Sequence, residues 1–186
     1  VSENQSGAVV GVLSATDPEG GIISYSVTTN TSIFEAAAYN GQLVVKLKEG
    51  VTVNHEANDS YSVTVKASDG VPSNDITKTF TISVTDLNET PILAQPTSSS
   101  IIEDATETVS GTLIASDPDV GQVITYGITG GSSSGASTVK IEGVYGALSV
   151  NTSTGAYSYT LDKTKSATKD LSASDQVSEI FKFTAT

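Results

Sequence analysis

The chain has 186 residues with no cysteine, no tryptophan and a single histidine, His55. Without thiols there is no disulfide framework, no zinc–thiolate site and no cysteine nucleophile. Without tryptophan, a stacking platform for sugars has little to be built from. No stretch of about 18 apolar residues occurs, which excludes a transmembrane helix. The first residues lack both a basic region and an apolar run, so they do not read as a signal peptide. Either processing has removed one, or the stretch comes from a longer protein. Long runs of helix-forming Leu, Glu, Lys and Arg are missing too. Basic residues are scarce: 9 Lys+Arg face 21 Asp+Glu, for a net charge of −12. Such a surface repels nucleic acid and anionic lipid and suits metal cations. The same acidity would also serve solubility alone.

What the chain does have is Ser, Thr and period-2 alternation. Tyr61, Val63, Val65 and Ala67 alternate with Ser62, Thr64 and Lys66. The runs Phe80-Ile82-Val84, Tyr157-Tyr159-Leu161 and Phe181-Phe183-Ala185 follow the same rule. Alternation sends one set of side chains into a core and the other into water. Turn signals separate the runs at Glu19-Gly20-Gly21, Asn40-Gly41 and Ser153-Thr154-Gly155. Residues 166–179 read as a loop with a helical turn.

The chain also repeats itself. G-V-L-S-A-T-D-P-E at 11–19 returns as G-T-L-I-A-S-D-P-D at 111–119, an offset of 100 residues. Glu3 and Glu103 share that offset, and after one inserted residue Tyr25 matches Tyr126. A period of this length suits a β-sandwich of about 100 residues. We therefore expect an all-β chain of two tandem Greek-key sandwiches of immunoglobulin or cadherin type, arranged end to end. The expected domains are residues 1–90 and 91–186. The link D-L-N-E-T-P at 86–91 contains a proline that cannot continue a central ladder. Ala185-Thr186 aligns with Ala67-Ser68, so the second domain is expected to lack its last strand and the chain to be cut from a longer array.

Oxygen-bearing side chains gather near that link. Glu3 precedes the first recurring strand, Asn54 and Glu56 precede a later one, and Asp86, Asn88 and Glu89 form the link. Asp117 and Asp119 open the first loop of domain 2. Calcium takes 6–8 oxygen ligands, and this inventory supplies that chemistry. With His55 as its one histidine, the chain holds no nitrogen or sulfur set for zinc. Without a cation, two carboxylates about 4 Å apart repel by roughly 4 kcal/mol at an effective dielectric of about 20. Converging carboxylates would hold a junction open, and calcium would reverse the sign.

These residues resemble the cadherin repeat. S-E-N at 2–4, D-P-E at 17–19, V-N-H-E at 53–56, A-S-D at 67–69 and D-L-N-E-T-P at 86–91 are similar, in order, to its glutamate, D-x-D, L-D-R-E, A-x-D and linker motifs. Domain 2 is more similar to the VCBS-type cadherin-like repeats of large RTX-type bacterial adhesins, through A-S-D-P-D, Y-G-A-L-S-V-N-T-S-T-G-A-Y-S-Y-T-L-D and I-F-K-F-T-A-T. It has no clear L-D-R-E counterpart. The resemblance implies that Glu3, Glu56 and Glu89 bridge inner Ca2+ ions. It adds the Leu87 and Thr90 carbonyls, the Asn88 side chain, Asp117 and Asp119, with Asp86 and Asn54 completing the set. Asn54 stands where the family has Asp, which weakens the outermost site, and Glu89 replaces Asp. About two ions are expected. Asp17, Glu19 and Asp69 would serve a junction with a preceding domain.

Other signals carry less. His55 reads as a partly exposed packing residue, and Asn58-Asp59 as a turn. The glycine-rich stretch 130–135 lacks a following Lys-Ser or Lys-Thr and reads as a flexible hairpin loop. Tyr61, Tyr157 and Tyr159 fall on core positions. His55 has no nucleophile placed near it, so no catalytic residue is assigned. The expected role is a calcium-rigidified module of a bacterial surface adhesin, extracellular, acting in adhesion and biofilm. Its partners would be neighbouring domains of the same polypeptide, and glycans or other cadherin-like domains. The alternative is a glycan- or protein-recognition module, including one accessory to a secreted polysaccharide-active enzyme.

Overall fold

A computed structural model describes residues 1–102, 108–172 and 174–186. It divides into two compact units, Val1–Asn88 and Glu89–Thr186.

In the first unit the strands are β1 (Val9–Val12), β2 (Ser24–Val27), β3 (Phe34–Tyr39), β4 (Gln42–Leu47), β5 (Ser60–Ser68) and β6 (Ile76–Ser83). They form two antiparallel sheets, ordered β1-β4-β3 and β2-β5-β6. The alternation read from the sequence decides what lies between them. Phe34, Val45, Leu47, Val63, Val65 and Ile82 are buried in one core, while Ser62, Thr81 and Ser83 face out. Each fully buried Val, Leu or Phe contributes about 1.5–3 kcal/mol. Phe34 meets Tyr61 edge to face at 5.5 Å. Asn40 and Gly41 both have positive φ, 50° and 77°, and close the β3–β4 hairpin across the Tyr39–Gln42 pair. That is the backbone a two-residue hairpin turn of matching twist needs.

The N-terminal segment enters this unit beside the end of β6. Ser2 bridges Thr85 in parallel. The Val1 ammonium donates to the Ser83 carbonyl, and the Thr85 N–H to that of Val1. This pairing carries Glu3 into the interior.

The second unit contains β7 (Ile92–Leu93), β8 (Thr108–Thr112), β9 (Ala115–Ser116), β10 (Tyr126–Ile128), β11 (Ser132–Ser133), β12 (Thr138–Glu142), β13 (Gly146–Asn151), β14 (Ala156–Leu161) and β15 (Phe183–Ala185). Its main sheet is ordered β11-β12-β13-β14-β8, and β10 pairs with β15 and β7 with β9. Leu113, Ile128, Leu148 and Val150 form the buried core. Tyr157 and Tyr159 pack on Phe183 and Phe181 at 5.2 and 5.8 Å. A short helix α1 (Ser166–Lys169) occupies the helical turn expected in 166–179. Burial and a hydrogen bond to Glu179 push the Tyr159 hydroxyl pKa upward.

The internal repeat holds to the level of register. Tyr25 pairs with Ala67 in the first unit, and Tyr126 pairs with Ala185 in the second. Glu103, the counterpart of Glu3, lies outside the described residues. Stretch 130–135, read as a flexible hairpin loop, does enter a hairpin, but Ser132 and Ser133 are strand residues paired with Lys140 and Val139. A Cβ on Gly131 would come 2.5 Å from Val139 Cγ1, so this glycine serves close strand approach. The turn expected at Asn58-Asp59 falls just before it, at 55–57, closed by the Asn58 N–H on the Asn54 carbonyl.

Candidate metal centre

In the first unit the site is organised by Glu3, whose side chain is 0% exposed. A buried carboxylate is costly unless its oxygens are met by donors or cations. Glu3 Oε2 accepts the His55 N–H at 2.8 Å, and Oε1 accepts the Leu87 N–H at 2.8 Å. One carboxylate therefore ties the turn after Val53 to the segment leaving β6. A Glu56 carboxylate oxygen lies within 4.8 Å of one of Glu3. Glu56 Oε2 is buried and meets no hydrogen-bond donor among the described residues.

The outer part of this cluster holds His55, Glu56 and Asp86. His55 Nδ1 stands 3.4 Å from Glu56 Oε1 and 3.8 Å from Asp86 Oδ2. The sequence had assigned His55 to packing. Its ring is partly exposed, as expected, but its nitrogen faces two carboxylates. The adjacency of His55 to Glu56 was the only signal that could have revealed this. Asn54 is exposed and turned into its own turn, where Oδ1 accepts the Ala57 N–H at 2.7 Å. Leu87 and Asn88 are exposed at the end of the unit.

In the second unit Glu89 is half-buried and Thr90 exposed. The Glu89 N–H donates to Asp119 Oδ2 at 2.8 Å. Asp119 is 7% exposed, and its Oδ1 is buried without a hydrogen-bond donor among the described residues. Asp117 Oδ1 accepts the Asp119 N–H at 3.0 Å, which fixes the loop that presents both acids. The first and second units thus gather Glu3, Glu56 and Asp86, and Glu89, Asp117 and Asp119, respectively.

The far end of the first unit is chemically different. Nine-residue β5 separates Asp59 from Asp69 by roughly 33 Å, ten steps of about 3.3 Å. Asp69 accepts from the Asn74 amide and the Val71 N–H, and these bonds lower its pKa below the ordinary 3.8. Ser68 and the Lys66 ammonium do the same for Asp75. Asp17 Oδ1 accepts the Glu19 N–H at 2.7 Å.

Among the described residues no helix is long and apolar enough to cross a membrane. No protein-family model matches the chain. Among curated proteins it is similar to human protocadherin-15, with 33% identity over 120 residues, 62% of this chain and 6% of that protein. Protocadherin-15 of Gallus gallus is 30% identical over 135 residues, 69% of this chain and 7% of that protein. The chain thus spans only 6–7% of the length of these curated relatives. Among solved structures, human protocadherin-24 EC1-2 aligns with a TM-score of 0.56 and 20% identity, over 100% of this chain and 87% of that one. Mouse cadherin-23 EC22-24 aligns with a TM-score of 0.52 and 23% identity, over 88% of this chain and 51% of that one. Extracellular cadherin domains 1-5 of protocadherin gamma B2 align with a TM-score of 0.53 and 20% identity, over 86% of this chain and 30% of that one. In fold, the chain consists of cadherin-like β-sandwich domains.

Proposed function

We propose that this chain is a calcium-rigidified adhesive module of an extracellular surface protein. The observation that carries the reading is Asp119. It is a carboxylate buried to 7% exposure whose Oδ1 meets no hydrogen-bond donor among the described residues. Buried charge of this kind is normally paired or bound to a metal. Apart from His55, the donors near it and at the end of the first unit are oxygens, which is the chemistry calcium takes. Glu3, Glu56, Asp86 and the Leu87 carbonyl would contribute from the first unit. Glu89, the Thr90 carbonyl, Asp117 and Asp119 would contribute from the second. Asn88 and Asn54 would add amide oxygens, Asn54 through the lone pair its turn leaves over. The cation would supply charge neutralisation, and loss of mutual repulsion would restrict movement about the short link.

The names of the relatives and structural neighbours support adhesion and an extracellular setting. The finer assignment to a bacterial adhesin active in biofilm draws on the VCBS-type residues of the second unit alone. Partners would be neighbouring domains of the same polypeptide and other cadherin-like domains. A glycan-recognition role has no comparable support from the site.

Small-angle scattering in millimolar calcium and then in EDTA tests the proposal. The expected result is a narrow distribution of interdomain distances with calcium and a broad one without. An unchanged profile, with no calcium bound by calorimetry, would make the acidic cluster a solvated surface.

A further inference from the structure

His55 is the one imidazole the chain could offer a metal, and it has no cysteine thiolate to offer beside it. Its Nδ1 lies 3.4 Å from Glu56 Oε1 and 3.8 Å from Asp86 Oδ2, and the three residues each offer a ligand atom within 4.8 Å of the others'. Ligand atoms on a tetrahedron with bonds of about 2.0–2.1 Å stand roughly 3.3–3.4 Å apart. The two spacings from Nδ1 need shifts of up to about half an ångström to meet that figure, and the Glu56 and Asp86 oxygens, within 4.8 Å of each other, close toward it on binding. The segments bearing these ligands are also held. Buried Glu3 accepts from the N–H of His55 itself and from that of Leu87, the residue after Asp86. Both segments are therefore fixed by one interior carboxylate before any ion arrives.

We propose that His55 Nδ1, Glu56 and Asp86 form a site for a divalent transition cation that accepts imidazole nitrogen. Zinc is the probe of choice, because imidazole and carboxylate suit it and it tolerates an open fourth position. Calcium takes oxygen ligands. The same cluster would therefore respond to two classes of cation, with the His55 nitrogen as the discriminator. The site shares Glu56 and Asp86 with the calcium reading but does not rest on it.

The test uses calorimetric zinc titration of the chain in a non-chelating buffer, together with NMR of its single imidazole. Zinc is expected to shift both imidazole C–H signals with a stoichiometry of one. His55→Gln should weaken zinc binding at least tenfold and leave calcium binding unchanged. Asp86→Asn should weaken zinc at least fivefold, with the backbone spectrum checking its fold. Unmoved imidazole signals, or equal zinc affinity in His55→Gln, would overturn the proposal. Zinc binding through His55 in a chain that binds no calcium would sustain this site and sink the calcium reading.

Discussion

Both units carry the same D-P step in their first loop, and the two copies end in different surroundings. In the first, Asp17 caps the Glu19 N–H and Glu19 is exposed. In the second, Asp117 caps the Asp119 N–H in the same way, yet Asp119 is buried and accepts the Glu89 N–H. The local turn is identical because a short carboxylate two residues back can always reach that N–H. In the second copy a chain segment starting at Glu89 is laid against the loop within its own unit, through the Glu89 N–H on Asp119. A repeated motif therefore fixes a turn, and its neighbours decide whether that turn becomes a site.

The largest expected effect comes from breaking the buried end of the first unit. Glu3→Ala removes a carboxylate that accepts two N–H groups, each such bond contributing about 1.5–3 kcal/mol. Denaturant unfolding in EDTA should show a loss of about 3 kcal/mol in that unit alone. Equal stability would mean that water replaces both bonds.

Gly155→Ala probes the second unit away from its acids. This residue has φ +70°, and a Cβ there would lie 2.9 Å from the Leu113 carbonyl. A loss of about 2 kcal/mol is expected. Gly41→Ala has φ +77° but open space around it, and should cost about half as much, both losses being read from thermal melts.

Asp119→Ala should lower calcium affinity at least tenfold, about 1.4 kcal/mol, whereas Glu19→Ala should leave it unchanged. Calorimetry on the pair tests the contrast directly, and equal losses would mean that burial does not distinguish the two loops.

The smallest effect concerns pH. The pKa of Asp69 is depressed below its ordinary 3.8, chiefly by Asn74 and then by the Val71 N–H. A depressed pKa gives stability that is present above the unfolded value and lost as pH falls through the folded one. Asn74→Ala should therefore flatten the acid limb of the first unit's unfolding curve below about pH 4. An unaltered limb would assign acid unfolding to other carboxylates.

Much of this was legible in the residues. Alternation at Tyr61–Ala67 and Tyr157–Leu161 predicted strands, and β5 and β14 lie there. The 100-residue repeat anticipated that Tyr25 and Tyr126 would occupy equivalent register positions. Period and turn chemistry are local, so they survive in sequence. A hairpin at 130–135 was legible, but the pairing of Ser132 and Ser133 as strand β11 was not, because a Ser- and Gly-rich strand lacks an alternating apolar face.

The sequence by itself determined an all-β chain of two related halves, strongly acidic, with oxygen donors concentrated where the halves meet in the primary structure. Only the tertiary structure decided which acids are buried and which are merely solvated. Glu3 and Glu19 are both glutamates near a recurring strand, yet one is fully enclosed and the other faces water. Only folding, likewise, turned the His55 nitrogen toward Glu56 and Asp86. The reason is physical. Backbone periodicity depends on neighbours along the chain, whereas burial and side-chain direction depend on segments about 30 to 80 residues away that pairing and packing bring together.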